Sequence, residues 1–316
     1  MKQSANTIAA IDLGTNSFHL IIATIADKTG EVEILQRSRE RVQLGAGFTA
    51  EGHLDSPALQ RACQCLKHFN SELKATNVLK VKAVGTSALR DAKNQHEFLI
   101  AAERALGYPI DIISGEEEAR LIYLGVLSSF EQNQERLIID IGGGSTELIA
   151  GFGSHIHALT SLDIGCLRYK ELFFKDGQLT EQAFQAAIHA AYEQIDPIID
   201  KFHGLNWQGA WGASGTIQSV VQVIKQLNLT EAIDLNALHT LKTLILKHQH
   251  VDELQFKGLK PERRTIFPSG LAILIAIFSR LQINHLSTAK GALREGLIHV
   301  LRTEVTKATK ETNNLH

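Results

Sequence analysis

Leu-Ile-Ile-Asp-Ile-Gly-Gly-Gly-Ser-Thr-Glu-Leu-Ile occupies residues 137–149 of the 316-residue chain. Apolar residues lead into Asp140, Gly142 to Gly144 follow, and Ser145 and Thr146 open a second apolar run, so the stretch reads as strand, tight turn, strand. Glycine accepts positive φ and, lacking a side chain, lets backbone N–H groups come close to an anion, so such a turn can form a nest for phosphate oxygens. Asp140 stands at the mouth of that nest. A carboxylate beside a phosphate calls for a hard cation, Mg²⁺ above all. Taken alone, the stretch reads equally as a plain β-hairpin with a glycine turn.

The pattern occurs twice. Ile8 to Leu13 ends in Asp12-Leu13-Gly14-Thr15-Asn16-Ser17, after which Phe18 to Ile25 resumes, and Asp12 and Asp140 lie 128 positions apart. Two such loops, one per domain, suit a pair of related α/β folds facing each other across a cleft. The length accommodates two domains, with boundaries expected at 1–127 and 128–299 and a C-terminal helix of about 300–316 packing back on the first. Charge is nearly balanced, 32 Lys and Arg against 34 Asp and Glu, which argues against nucleic acid or a basic membrane anchor as the general partner. Cys63, Cys65 and Cys166 are too few and too poorly spaced for a disulfide framework or a zinc site, in keeping with the cytoplasm. The most apolar run, Gly270 to Phe278, is short for a membrane span and reads as a core helix.

Other segments carry candidate chemistry. Glu31–Leu35 and Arg39–Leu44 read as two strands, and Ser56 followed by Pro57 opens a helix. A strand at Val78–Val84 delivers Gly85, Thr86, Ser87 and then Arg90, the makings of a phosphate clamp or simply a helix-start arginine. Ser114 can cap a helix whose first turn holds Glu116, Glu117 and Glu118, which suits the helix dipole but leaves the placement just upstream of the glycine loop unexplained. Ser128 to Glu135 reads as a polar connector. Gly212 to Thr216 is a small-residue loop open to a ligand or to another backbone, and His248 to Asp252 reads as a helix end rather than a metal site. Lys257, Lys260, Arg263 and Arg264 form a basic cluster, either a solvated helix start or a dock for an extended polyanion.

With Asp12–Phe18, Val84–Arg90, Ser114–Arg120, Asp140–Glu147, Gly212–Thr216 and Gly291–Gly296 in view, the chain resembles the exopolyphosphatase and guanosine pentaphosphate phosphohydrolase family over nearly its whole length. The resemblance implies an α/β architecture of two ribonuclease-H-like domains of the actin and sugar-kinase type. It implies Glu118 as catalytic base, with Asp140 and Glu147 as its catalytic partners. Asp140, Glu147 and Asp12 are then the Mg²⁺ ligands, and Gly14, Thr15, Asn16, Ser17, Arg90, Gly143, Gly144, Ser145 and Thr146 the phosphate contacts. K⁺ stimulation and a homodimer come with the same resemblance. Thr15 stands where many members have serine, which keeps the hydroxyl. Longer members continue into a further helical domain, whereas this chain stops soon after Gly296, which favours shorter polyphosphates.

The expected activity is release of terminal orthophosphate from linear polyphosphate by Mg²⁺-assisted in-line attack of water. Hydrolysis of guanosine pentaphosphate, or its recognition without turnover, is the alternative. Glu118 should be a strong base because Glu117, Asp140 and phosphate crowd it. An ATP-dependent kinase or chaperone-like ATPase shares the loops but not the glutamate run at Glu116–Glu118.

Overall fold

A computed structural model describes residues 6–26, 29–127, 130, 134–207, 209–230 and 233–313. The chain forms two compact units, Met1–Gly125 with Gly291–His316, and Val126–Lys290. Most of the expected polar connector at 128–135 and the last three residues lie outside the described residues.

The first unit is a five-stranded sheet ordered β3-β2-β1-β4-β5, from β1 (Asn6–Leu13), β2 (Phe18–Ile25), β3 (Val32–Glu40), β4 (Lys80–Gly85) and β5 (Ile110–Ile112). β1 pairs antiparallel with β2 and parallel with β4. One face packs on α1 (Ser56–Ala75) and α3 (Gln95–Leu106), whose buried Ala58, Ala62, Leu66, Phe69 and Leu73 recur at helical spacing. Asp55, not Ser56, caps α1, its carboxylate accepting the Ala58 amide at 2.7 Å. α10 (Leu293–Asn313) packs against β1, β2 and β4, and it starts well before the C-terminal piece expected from sequence.

The second unit repeats the order as β8-β7-β6-β9-β10, from β6 (Glu135–Ile141), β7 (Thr146–Phe152), β8 (His155–Leu162), β9 (Ala210–Gly212) and β10 (Leu286–Thr288). Its helices are α5 (Cys166–Phe173), α6 (Glu181–Ile195), α7 (Gly215–Gln226), α8 (Leu235–Ile245) and α9 (Phe267–Leu281). The segment Pro261–Leu281 is long and apolar enough to cross a membrane by composition. In this fold it is the core of its unit, with α9 buried from Phe267 to Phe278 and packed on α5 to α8. Pro197 ends α6 and turns the chain into a 3₁₀ segment, Asp196–Phe202.

The repeat extends beyond the loops. β3 takes in Val32 to Leu35 of the first expected strand and only Arg39 and Glu40 of the second, since the chain then leaves the sheet for a 3₁₀ turn at Leu44–Gly47. Within β3 an extra residue, Leu35, is absorbed as a bulge where the β2–β3 register slips between Ile22 and Ala23. The β7–β8 register slips between Ala150 and Gly151, again 128 positions on. Both bulges lie on edge strands, where they twist the edge and hinder pairing with other chains.

α4 (Gly115–Leu127) carries the chain out of the first unit, and within that unit it meets the start of α10 backbone to backbone. A Cβ on Gly125 would lie 1.9 Å from the Ala292 carbonyl oxygen, and one on Gly296 1.9 Å from that of Leu121. Neither neighbour is a flexible side chain, so Gly125→Ala and Gly296→Ala should each cost about 3 kcal/mol. Gly204→Ala, at φ +77 with open space around it, should cost about 1 kcal/mol. Thermal unfolding of the three variants checks the ranking, and equal shifts would contradict the close approach.

Candidate active site

In the second unit, residues 142–145 connect β6 to β7, and the Gly142 amide donates to the Ser145 carbonyl at 2.9 Å. The Gly142 carbonyl accepts the Cys166 amide at 2.9 Å, and the Gly143 carbonyl accepts the amides of Leu167 and Arg168 at 2.9 and 3.2 Å. The first turn of α5 therefore holds two loop carbonyls. Because C=O and the next N–H oppose each other across a trans peptide, the N–H groups of Gly143 and Gly144 point the other way. Among the described residues neither finds a protein acceptor. Gly165 permits this approach, since a Cβ there would lie 2.4 Å from the Gly143 oxygen.

The first unit uses the same device. The carbonyls of Thr15 and Asn16 accept the amides of Gly45 and Gln43, both at 2.9 Å, which turns the N–H groups of Asn16 and Ser17 outward. These too lack a protein acceptor among the described residues. A Cβ on Gly14 would meet the Ser17 oxygen at 3.0 Å, and one on Gly142 would meet the Ser145 oxygen at 3.0 Å, so the two turns have the same build. Thr146 differs from its expected role, because its hydroxyl is committed to the Ile164 carbonyl at 2.6 Å.

Glu118 and Arg90 are joined. Arg90, near the end of α2 (Ser87–Asp91), uses Nη1 to reach Glu118 Oε2 at 2.7 Å and the Ile113 carbonyl at 3.1 Å. The two protons of Nη1 are thereby used, which leaves Nη2 and Nε as donors for an anion. Ser114 caps α4 through the Glu117 amide at 3.1 Å, and the helix then turns Glu118 inward and Glu116 outward. Burial pushes the Glu118 carboxyl above its usual range, against the pull of Arg90. Crowding by Glu117 is not the cause. Glu117 sits about 100° away around the helix and holds Arg120 through two bonds of 2.7 Å, which keeps its own proton affinity low.

Asp12 is pushed up to about 7, first by burial, with the charge of Arg294 opposing and those of Glu118 and Glu295 adding. Arg294, in the first turn of α10, also lies 2.9 Å from His19 Nδ1. An arginine can only donate, so Nδ1 accepts and the imidazole is neutral. His19 stands directly opposite Asp12 on β2, as Glu147 stands opposite Asp140 on β7. Arg294 and His19 escaped the sequence reading. The 128-residue repeat could have flagged His19, since it places that residue on Glu147, and Arg294 lies within the Gly291–Gly296 stretch that carried the resemblance without being given a role. In the second unit Glu147 is fully buried and its Oε1 accepts the Ser161 hydroxyl at 2.7 Å.

Residues 21–303 match the Ppx/GppA phosphatase family. The chain belongs to that family. It is 41% identical over 297 residues, 94% of this chain, to the guanosine-5'-triphosphate,3'-diphosphate pyrophosphatase of Photobacterium profundum. The chain spans about three-fifths (59%) of the length of the curated relatives it matches. Among solved structures it resembles the Aquifex aeolicus Ppx-GppA enzyme at 26% identity and TM-score 0.77, covering 93% of this chain and 99% of that one. An exopolyphosphatase from Cytophaga hutchinsonii shares the fold at TM-score 0.84 and 24% identity, with 94% and 98% covered.

The two α/β units share the fold of Ppx/GppA structures, and in this chain Asp12 lies near the end of the strand before one glycine turn and Asp140 near the end of the strand before the other. Each unit by itself offers hard oxygens that fit Mg²⁺: the directly opposed Asp140 and Glu147 in the second, and in the first an Asp12 whose burial a cation would relieve. Among the described residues no three His, Cys, Asp or Glu gather as a metal cage. Mg²⁺ commonly takes one or two carboxylates and completes its shell with water and phosphate.

The remaining expectations resolve by geometry. Arg263 lies against Gly215 at the start of α7, where a Cβ would come 2.3 Å from its Nη2, so a guanidinium is what approaches the Gly212–Thr216 loop. Arg264 is half-buried with its Nε enclosed, while Lys257 and Lys260 are exposed. His250 caps a short turn through the Asp252 amide at 3.3 Å and reaches the Asp176 carbonyl at 3.0 Å, which accounts for both ring nitrogens.

Asp12 gives a pH signature. Below about pH 4 the carboxyl is protonated folded or unfolded and contributes nothing. Between the ordinary 3.8 and about 7 only the unfolded chain releases the proton, so stability falls as pH rises, and above 7 the full penalty applies. Asp12→Asn should therefore stabilise the chain in EDTA by more at pH 8 than at pH 4, the difference being on the order of a few kcal/mol at about 1.4 kcal/mol per unit. Urea titrations at both pH values test this, and a pH-independent effect would contradict the buried acid.

Proposed function

We propose that the chain is a hydrolase of terminal phosphoanhydrides and that guanosine pentaphosphate is its preferred substrate, ahead of linear polyphosphate. The observation that carries the reaction type is the Arg90–Glu118 pair, which couples an anion-binding guanidinium to a buried carboxylate of raised proton affinity at 2.7 Å. The curated relatives support the substrate order, reversing the one expected from sequence.

In the first unit the outward amides of Asn16 and Ser17 bind phosphate oxygens and the free edge of Arg90 bears on the phosphoryl group to be transferred, while in the second unit the outward amides of Gly143 and Gly144 offer the same kind of donor. Arg90 occupies Oε2 of Glu118, so Oε1 is the atom that orients the attacking water and takes its proton. The water oxygen bonds to the terminal phosphorus as the bridging P–O bond breaks, giving orthophosphate and a substrate shortened by one phosphate. Asp140 and Glu147 would hold Mg²⁺, which when bound would supply neutralisation of charge on phosphate oxygens.

General base assistance is typically worth about a hundred- to ten-thousand-fold. Glu118→Gln should lose at least that much in phosphate release from guanosine pentaphosphate while calorimetric binding stays within about threefold. Near-normal turnover in that variant would remove Glu118 from the role. Wild-type binding without phosphate release would instead favour a sensor.

A further inference from the structure

Three arginines stand at alternate positions beside the first phosphate loop, Arg37, Arg39 and Arg41, and all are exposed. Arg37 is already engaged, its Nη1 lying 2.6 Å from Glu295 Oε1. Arg39 and Arg41 are not: among the described residues neither meets a carboxylate. Arg39 lies directly opposite His19 in the β2–β3 register, and its Nη2 comes within 3.4 Å of Ser17 Oγ.

Arg41 is held next to the same loop by the chain on either side of it. Two residues back, Arg39 reaches Ser17, and two residues on, the Gln43 amide bonds the Asn16 carbonyl at 2.9 Å. The segment is fixed by Arg61, which donates to the carbonyls of Val42 and Gln43 at 2.8 and 3.2 Å. Arg39, and Arg41 two residues on, thus stand on a segment that is tied to the loop whose amides face outward. Exposed arginines are ordinarily balanced by acids or left scattered. Here Glu295 is taken up by Arg37, the Ala292 amide and the charge of Arg294, and Glu40, between the two arginines, lies 3.9 Å from His68 Nε2, so among the described residues neither acid pairs with Arg39 or Arg41.

We propose that Arg39 and Arg41 form a subsite for the phosphates that follow the reacting one, either along a polyphosphate chain or on the second phosphate arm of a guanosine polyphosphate. The inference rests on the reading of this site as a phosphoanhydride hydrolase. A guanidinium binds phosphate oxygens through its paired N–H groups, and each contact displaces a condensed counterion from a polyanion. The subsite therefore favours substrates with more phosphates than the loop alone can hold.

The test compares wild type with Arg39→Gln/Arg41→Gln and with Arg39→Lys/Arg41→Lys, in calorimetric binding and in kcat/KM. Substrates are tripolyphosphate, a long polyphosphate and guanosine pentaphosphate, at several salt concentrations. The Gln pair should bind long polyphosphate at least tenfold more weakly, with the salt slope reduced by about one to two, and tripolyphosphate within about threefold of wild type. The Lys pair, keeping the charge, should retain most of the slope. A loss for guanosine pentaphosphate matching that for polyphosphate assigns the subsite to either arm, and a loss confined to one substrate assigns it to that one. Equal losses for tripolyphosphate and long polyphosphate, or an unchanged slope, would overturn the subsite and leave the hydrolase reading intact. A wild-type chain that neither binds nor cleaves any of the three would overturn both.

Discussion

Both glycine turns depend on a single backbone constraint. In each, two consecutive carbonyls are tied back to neighbouring backbone, Gly142 and Gly143 to the first turn of α5, Thr15 and Asn16 to residues 43–45. Planarity of the peptide then dictates that the following N–H groups face outward. Glycine is needed less for positive φ than for space. Gly14, Gly142 and Gly165 each stand where a Cβ would press on a carbonyl, and none of the three has the left-handed φ usually blamed for such turns. The nests are rigid because the sheets and helices behind them are, so donors are in place before an anion arrives.

The electrostatics divide the repeated motif into two different tools. Asp140 faces another carboxylate, Glu147, across the β6–β7 pair. Asp12 faces a neutral histidine that Arg294 holds, so in its unit acid and base are mixed around Glu118 and Arg90. A duplicated scaffold has kept its turn and its bulge while the residue opposite the aspartate diverged. The arginine that restrains Glu118 also tempers its basicity, and burial wins over it.

Much of this was legible in the sequence because it rests on local chemistry. The strand-turn-strand pattern around Asp12 and Asp140, the Ser114 cap and the inward turn of Glu118 all follow from residues within a few positions of each other. What escaped were contacts set by strand register and long-range packing. Leu35 is absorbed by a bulge that no propensity announces, and Arg294 reaches His19 from the opposite end of the chain. The alternating arginines at 37, 39 and 41 were visible as a period of two, yet only Glu295 shows which one is spent. The basic cluster at Lys257–Arg264 drew attention by density alone, and two of its four members are drawn into the fold.

The preference proposed for this Ppx/GppA chain, guanosine pentaphosphate ahead of inorganic chains, is open to direct test. The direct measurement is initial-rate phosphate release with Mg²⁺ from guanosine pentaphosphate, short polyphosphate, long polyphosphate and ATP, side by side. The account predicts release from all but ATP, with the highest kcat/KM on guanosine pentaphosphate. Release from ATP alone, or a higher kcat/KM on polyphosphate than on guanosine pentaphosphate, would contradict it.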